Sequence, residues 1–305
     1  MSTAGQQAAT RISRAHRVFT YSAEHEPCAT VADGERLLVE TTNAFGDQKF
    51  GPGDTLADLD LSQADPLTGP IYVEGAEPGD TLAVHIEHIE LVGVGAQGII
   101  PNFGILDWPR LPLHFFEPKD GRIEFLRGIE IEIRPNLGVI GVAPREGAIP
   151  SIEPGDFGGN QDTKYVCAGS TVYLPVFHPG ALLFLGDCHQ IQGDGELCGV
   201  APETDADVTV TVEVLKGKTI PRPRILARDR FMVLASAKTL EESVKLAVRD
   251  AIDMFVEEKG FTEDEAYLLI TLKTDIEICQ VVDPLMTVRV AMDREFWETL
   301  APLPR

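Results

Sequence analysis

The chain has 305 residues, with 48 acidic against 26 basic side chains, so its formal charge is −22 with neutral histidines, at a hydrophobic content of 44%. That apolar fraction is enough for a core, and the charge is spread along the chain rather than run together, which excludes an acidic disordered polymer. A field of this sign repels phosphate backbones and anionic headgroups, which excludes nucleic acid and membrane surfaces as partners.

In chain order, residues 1–30 read as an N-terminal extension. They lack the apolar stretch of a secretory signal, and no later run approaches the ~20 apolar residues that span a bilayer. A soluble, cytoplasmic protein is expected. Residues 31–155 form a first β-rich part and 156–305 a second that carries the helices; the two together are also compatible with one compact domain. Short β-branched runs at 36–42, 71–74, 81–89 and 129–134 alternate with turn chemistry such as Gly51-Pro-Gly-Asp54 and Glu77-Pro-Gly-Asp80. Further strands are expected at 138–143, 171–177, 181–185 and 208–215. Period-two alternation points to antiparallel sheets or a sandwich with one solvated face.

A Pro-interrupted basic cluster, Arg222, Arg224, Arg228 and Arg230, reads as a solvated loop. The period then changes. Thr239 caps a helix whose apolar residues Leu240, Val244, Ala247, Ala251 and Phe255 recur until Gly260, and Thr262 with Glu265 starts a second that runs to about Lys273. A last strand follows at 287–291. The fold class is α+β: β-rich antiparallel sheets or a sandwich with two late helices packed on the sheet.

The densest polar segment lies at 186–199, directly after an apolar strand. It presents Asp187, His189, Gln190, Gln192, Asp194 and Glu196 among glycines. On an extended strand Asp187 and His189 share a face, an arrangement that places two metal ligands or sets an acid beside an imidazole. This N/O donor set suits zinc held by His and carboxylates, or calcium held by oxygens. The same residues also fit a plain surface hairpin. A second polar stretch, Gly158-Gly-Asn-Gln-Asp162, adds Asp162.

Five cysteines (Cys28, Cys167, Cys188, Cys198, Cys279) without any C-x-x-C give neither a disulfide framework nor a thiolate cage. Cys188 and His189, as strand neighbours, point to opposite faces, which argues against a Cys–His pair. No nucleotide-binding motif follows any strand.

Four stretches, in this order, resemble the motifs of the acetamidase/formamidase family: Asp65-Pro-Leu-Thr-Gly-Pro-Ile-Tyr-Val-Glu-Gly-Ala-Glu-Pro-Gly-Asp80, Gly158-Gly-Asn-Gln-Asp162, Gly169-Ser-Thr-Val-Tyr-Leu-Pro-Val176 and Gly186-Asp-Cys-His-Gln-Ile-Gln-Gly-Asp-Gly-Glu196. The resemblance covers roughly residues 30 to 291. It implies hydrolysis of a small, neutral carboxamide to carboxylate and ammonia by a homo-oligomer, assisted by a divalent metal, zinc or calcium. Two alternatives on the same scaffold are a lactamase-like hydrolase of cyclic amides and a catalytically silent protein that binds a small ligand.

Carried onto matching positions, the resemblance implies Asp162, Asp187, His189, Asp194 and Glu196 as the site, with Glu74 as a further candidate; the chemistry of these side chains assigns Glu196, Asp194 and Glu74 as catalytic residues and Asp162, Asp187, His189 and Asp47 as metal ligands. Asp47 enters because the segment Thr42-Asn-Ala-Phe-Gly-Asp-Gln48 stands where the best-known amidases of the family are His-rich. Cys188 replaces a small residue, which again argues against an essential thiol.

Overall fold

The computed structural model describes residues 9–109 and 111–302. Among these, seventeen strands hydrogen-bond into one continuous, mostly antiparallel network, and two short two-stranded ribbons lie beside it. The longest element, Thr81–Gln97, runs antiparallel to Glu203–Leu215 along nearly its whole length, with two register shifts. The other edge of 203–215 pairs with Arg36–Thr41. At the centre, Leu183–His189 pairs with Asn136–Val142 on one side and with Leu67–Val73 and the start of 203–215 on the other. Both central strands are buried at every position, so the polar residues they carry, Asn136, Asp187 and His189, are buried with them.

The boundaries drawn from the sequence do not separate structural units. Of the residues read as an N-terminal extension, Thr10–Ile12 pairs in parallel with 37–39, Ala29–Val31 pairs in parallel with 71–73, and Arg14 bridges Asp205 and Asp207. Strands on either side of residue 155 alternate within one sheet network, so the described residues share a single main core.

Helices α1 (Leu240–Lys259) and α2 (Glu263–Lys273) form as their caps dictate. Thr239 accepts from the Glu242 amide, Gly260 closes α1 at φ 78°, and Thr262 and Glu265 form a reciprocal capping box. Helix α1 packs Ala247, Ala251, Met254 and Phe255 onto the strands Arg230–Ala237 and Met286–Asp293. A third helix, α3 (Arg294–Thr299), was not expected from the sequence; its Trp297 stacks on Phe231 with ring centroids 5.0 Å apart. The 129–134 run proves to be Ile129–Glu132, paired with Arg122–Phe125 in a ribbon outside the main sheet.

The basic cluster is not a solvated loop. Arg222 makes two hydrogen bonds to Asp250 at 2.9 and 2.7 Å, Arg224 is buried against Glu258, and Arg230 meets Asp275 and Glu277; only Arg228 is exposed. These arginines fasten α1 and the neighbouring strand because Asp250, Glu258 and Glu277 are largely buried and need a countercharge, whereas Asp275 is exposed. Arg222→Ala strands the buried Asp250 carboxylate and is expected to cost about 1–3 kcal/mol in chemical denaturation. Arg228→Ala is expected to stay within about 0.5 kcal/mol of the parent.

Candidate active site

The site is assembled around Gly138. A Cβ at this position would lie 2.1 Å from Asp187 Oδ2, 2.3 Å from Asp162 Oδ1 and 3.0 Å from His189 Cε1, so three side chains converge on the space a side chain would take. The Gly138 carbonyl also accepts from the amides of Gln161 and Asp162, both at 3.2 Å, which pins the Gly158–Asp162 stretch to the central strand. Asp187 lies opposite Gly138 in the ladder, because Leu137 pairs with Cys188 and Val139 with Gly186.

His189 occupies the middle. Its Nε2 is 2.9 Å from Asp187 Oδ2, 3.3 Å from Glu203 Oε2, 3.8 Å from Asp162 Oδ1 and 3.9 Å from Glu196 Oε1. Glu203 is the direct cross-strand partner of His189, which explains its presence. On the other side of the ring, Nδ1 donates to Gln192 Oε1 at 3.2 Å. Gln192 is itself held by the Asn136 amide at 2.7 Å and donates to the Asp162 carbonyl at 2.8 Å. This second bond fixes the tautomer that directs Nε2 at the carboxylates.

Six carboxyl groups line this cavity: Asp65, Asp162, Asp187, Glu196, Glu203 and Asp283. They cannot all be ionised in so buried a place with one imidazole as their countercharge. Burial first, then the charge of Asp187, lifts Asp162 to about 6. Burial and the neighbouring acids push Asp65, Glu196, Glu203 and Asp283 well above the usual carboxylate range. Asp187 goes the other way: burial opposes its ionisation, but the charge and hydrogen bond of His189 prevail and hold it low. For His189 burial favours the neutral ring, yet Asp187, with Asp162 and Gln192 behind it, raises the imidazolium to about 9.

Four of the six acids, Asp65, Asp162, Asp187 and Glu196, have left-handed backbone conformations, with φ of 48°, 41°, 49° and 44°. Each such residue costs roughly 1–2 kcal/mol relative to ordinary backbone. Side chains that regular strand geometry would send elsewhere are thereby turned inward, a strain typical of functional sites.

Of the residues expected from the sequence, Asp162, Asp187, His189 and Glu196 come together. Asp194 does not face the cavity: its carboxylate binds Lys164 at 2.7 Å and the fully buried Arg289 at 2.6 Å. Arg289 also reaches Thr163 and Glu277, so Asp194 ties the loop of Glu196 to the loop of Asp162 and acts as a positioning residue. Glu74 is exposed in the turn after 67–73, and Asp47 is exposed and paired with Arg17; neither lines the cavity. Cys188 points into the main core, where burial raises its thiol.

Three lining acids were missed: Asp65, Glu203 and Asp283. Asp65 stood inside a quoted motif and Asp283 precedes a proline, with no local signal that either faces a cavity; Asn160 lies on the same side of its segment as Asp162, as their alternation suggests. Glu203 opens a long strand, and only the register opposite His189 reveals it.

Two triads, Asp162–His189–Glu196 and Asp187–His189–Glu203, bring their ligand atoms within 4.8 Å of one another and are able to hold a metal ion. Buried oxygens of Asp162, Asp187, Glu203 and Asp283 have no hydrogen-bond donor, as a cation-binding cluster requires. An N/O donor set of this kind fits a divalent ion.

Comparison with known proteins identifies the family. The sequence profile of the acetamidase/formamidase family matches residues 7–147 and 141–295. The chain belongs to the acetamidase/formamidase family. The crystal structure of an acetamidase from Bacillus halodurans shares 33% identity and superposes with a TM-score of 0.92, over 95% of this chain and 99% of that one. The acetamidase of Mycolicibacterium smegmatis is 29% identical over 62% of this chain and 63% of its own length. The chain thus spans about three-fifths of the curated family members it matches. A gamma lactamase from Delftia acidovorans, at 22% identity and a TM-score of 0.64, shares the fold alone.

Two predictions test the site. Gly138→Ala is expected to keep its far-ultraviolet circular dichroism while divalent-cation affinity falls about 10–100-fold by calorimetric titration; unchanged affinity would refute the convergence on Gly138. The second concerns pH. Within the cavity, His189 and the raised acids bind more protons folded than unfolded and Asp187 opposes them, so the stability these groups contribute is full at low pH and lost as pH rises. The His189 share is complete below its ordinary value near 6.5 and disappears as pH passes about 9. Chelator-treated protein is therefore expected to lose melting temperature steadily from about pH 5 to 9, and a saturating divalent cation to restore it at the alkaline end.

Proposed function

We propose that the chain is an amidase that hydrolyses the C–N bond of a short linear carboxamide, formamide- or acetamide-like, to carboxylate and ammonia. The observation that carries this reading is the cavity itself. It measures about 40 Å³ and divides sharply into a carboxyl-rich floor around His189 and an apolar wall that includes Phe45, Ile100, Phe103 and Val200. That is room for about three waters, the size of formamide or acetamide. A neutral amide suits a floor of acids that would repel an anionic substrate.

Amides are poor electrophiles with a poor leaving group, so the reaction needs carbonyl polarisation and a proton for nitrogen. His189 with Asp187 and Glu203, or with Asp162 and Glu196, would hold a divalent ion, whose chemistry there would be that of a Lewis acid toward the carbonyl oxygen. The chain's own residues do the rest. Asp187 and Gln192 hold the imidazole in place. Glu196, raised by burial and by Asp162, accepts the proton of the water that adds to the carbonyl carbon. It returns that proton to the nitrogen as the C–N bond breaks, so one carboxyl serves first as base and then as acid. The apolar wall excludes bulk water. Zinc and calcium are both compatible with the donors.

The same reading places the enzyme in the cytoplasm, in accord with five free cysteines. It also makes the enzyme a homo-oligomer, for which the exposed Tyr267, Leu268 and Leu272 of α2 and Ile276 and Ile278 of the neighbouring edge strand supply an apolar surface. Purified protein is expected to release ammonia from formamide or acetamide. His189→Ala and Glu196→Gln are expected to lower kcat by about 10²–10⁴-fold with circular dichroism unchanged. Saturable binding without turnover of any linear or cyclic amide would replace the amidase by the silent binder.

A further inference from the structure

We infer that Phe103 is the stop that sets the length of the acyl group, and that Gly199 is the seat that fixes its ring. This inference rests on the amide reading of the cavity. Because the cavity floor is carboxyl-rich, the substituent on the carbonyl carbon must point at the apolar wall of Phe45, Leu59, Leu61, Ile100, Phe103 and Val200. Most of that wall is shared with structure. Phe45 and Val200 belong to a buried cluster with Leu56 and Leu113, and Leu59 and Ile100 pack against it. Phe103 is only half-buried and lies outside that cluster.

Its placement is specified nonetheless. A turn presents it, with the Phe103 amide donating to the Ile100 carbonyl at 3.2 Å and Asn102 in the left-handed region at φ 63°. The ring rests on Gly199, where a Cβ would lie 2.4 Å from Phe103 Cδ1 and where φ is +77°, so a side chain is excluded twice. Gly199 closes the turn that begins at Glu196, its amide donating to the Glu196 carbonyl at 2.7 Å. The Ile105 amide donates to the Leu197 carbonyl of the same turn at 3.0 Å. Ring and Glu196 are therefore carried on one hydrogen-bonded unit. With Glu196 serving the reacting carbon and nitrogen, the ring stands at a fixed distance beyond them, where hydrogen or methyl fits and a longer chain collides.

The test is an acyl-length series, formamide, acetamide, propionamide and butyramide, with the wild type, Phe103→Ala and Phe103→Leu. In the alanine variant kcat/KM for propionamide and butyramide, each relative to acetamide, is expected to rise by about tenfold per added methylene. The leucine variant is expected to fall between it and the wild type. Binding of the same amides, followed as a shift in melting temperature, reads the stop without turnover: the shift ends at acetamide in the wild type and extends to butyramide in Phe103→Ala. Length profiles parallel to wild type in both variants would overturn the stop while leaving the amidase intact. No turnover by the wild type would overturn the amidase, and the binding series then decides on the stop alone. Gly199→Ala, which pushes the ring from its seat, is expected to alter the profile without changing residue 103; an unaltered profile removes the seat from the proposal.

Discussion

Everything at this site answers to one electrostatic constraint: six carboxyl groups and one imidazole share one largely buried cavity. Isolated charges do not persist in such a place; they are paired, protonated or bound to a cation. The fold meets the constraint by strict placement. Gly138 omits the side chain that would fill the centre, Asn136 and Gln192 hold the imidazole from behind, and Arg289 joins the two acidic loops through Asp194 and Thr163. The four left-handed acids are the local cost of aiming so many oxygens at one point. Three of the four are Asp, among the few residue types that accept that conformation with any ease, so at those positions backbone and chemistry select the same amino acid.

The opposite wall of the cavity follows a different rule. Phe45, Leu56, Leu113 and Val200 form a small core of their own, tied to the long strands through Ala96. Polar chemistry is thus anchored in the central sheet and apolar selectivity in the segments that cross its end.

Much of the architecture was legible in the sequence, since strand alternation, helix caps and Gly/Pro turns are local signals. The ends of α1 and α2 follow from Thr239, Gly260 and Thr262 alone. Of the site, Asp162, Asp187, His189 and Glu196 were legible because glycines and motif resemblance marked them. Glu203 and Asp283 were not, because their role depends on which strand lies beside which, and no local pattern encodes that register. Asp194 and Glu74 misled for the complementary reason: an acid within a motif is identical in sequence whether it faces a cavity, a buried arginine or solvent. The basic cluster misled in the same way, since its partners on α1 and the 275–280 strand lie about thirty to fifty residues downstream.

The interlacing of the sheet has a consequence for how the molecule comes into being. Residues of the cavity derive from positions 44 to 283, and the sheet that holds them pairs strands distant in the chain, as 36–41 with 203–215 and 67–73 with 183–189. Such a topology is rich in distant contacts, whose loop-closure entropy must be met before they reward the chain, and it folds slowly for that reason. No fragment ending near the middle contains the site. The cluster of acids is completed only when the last third of the polypeptide has docked, so an ion that recognises it recognises the finished protein and not an intermediate.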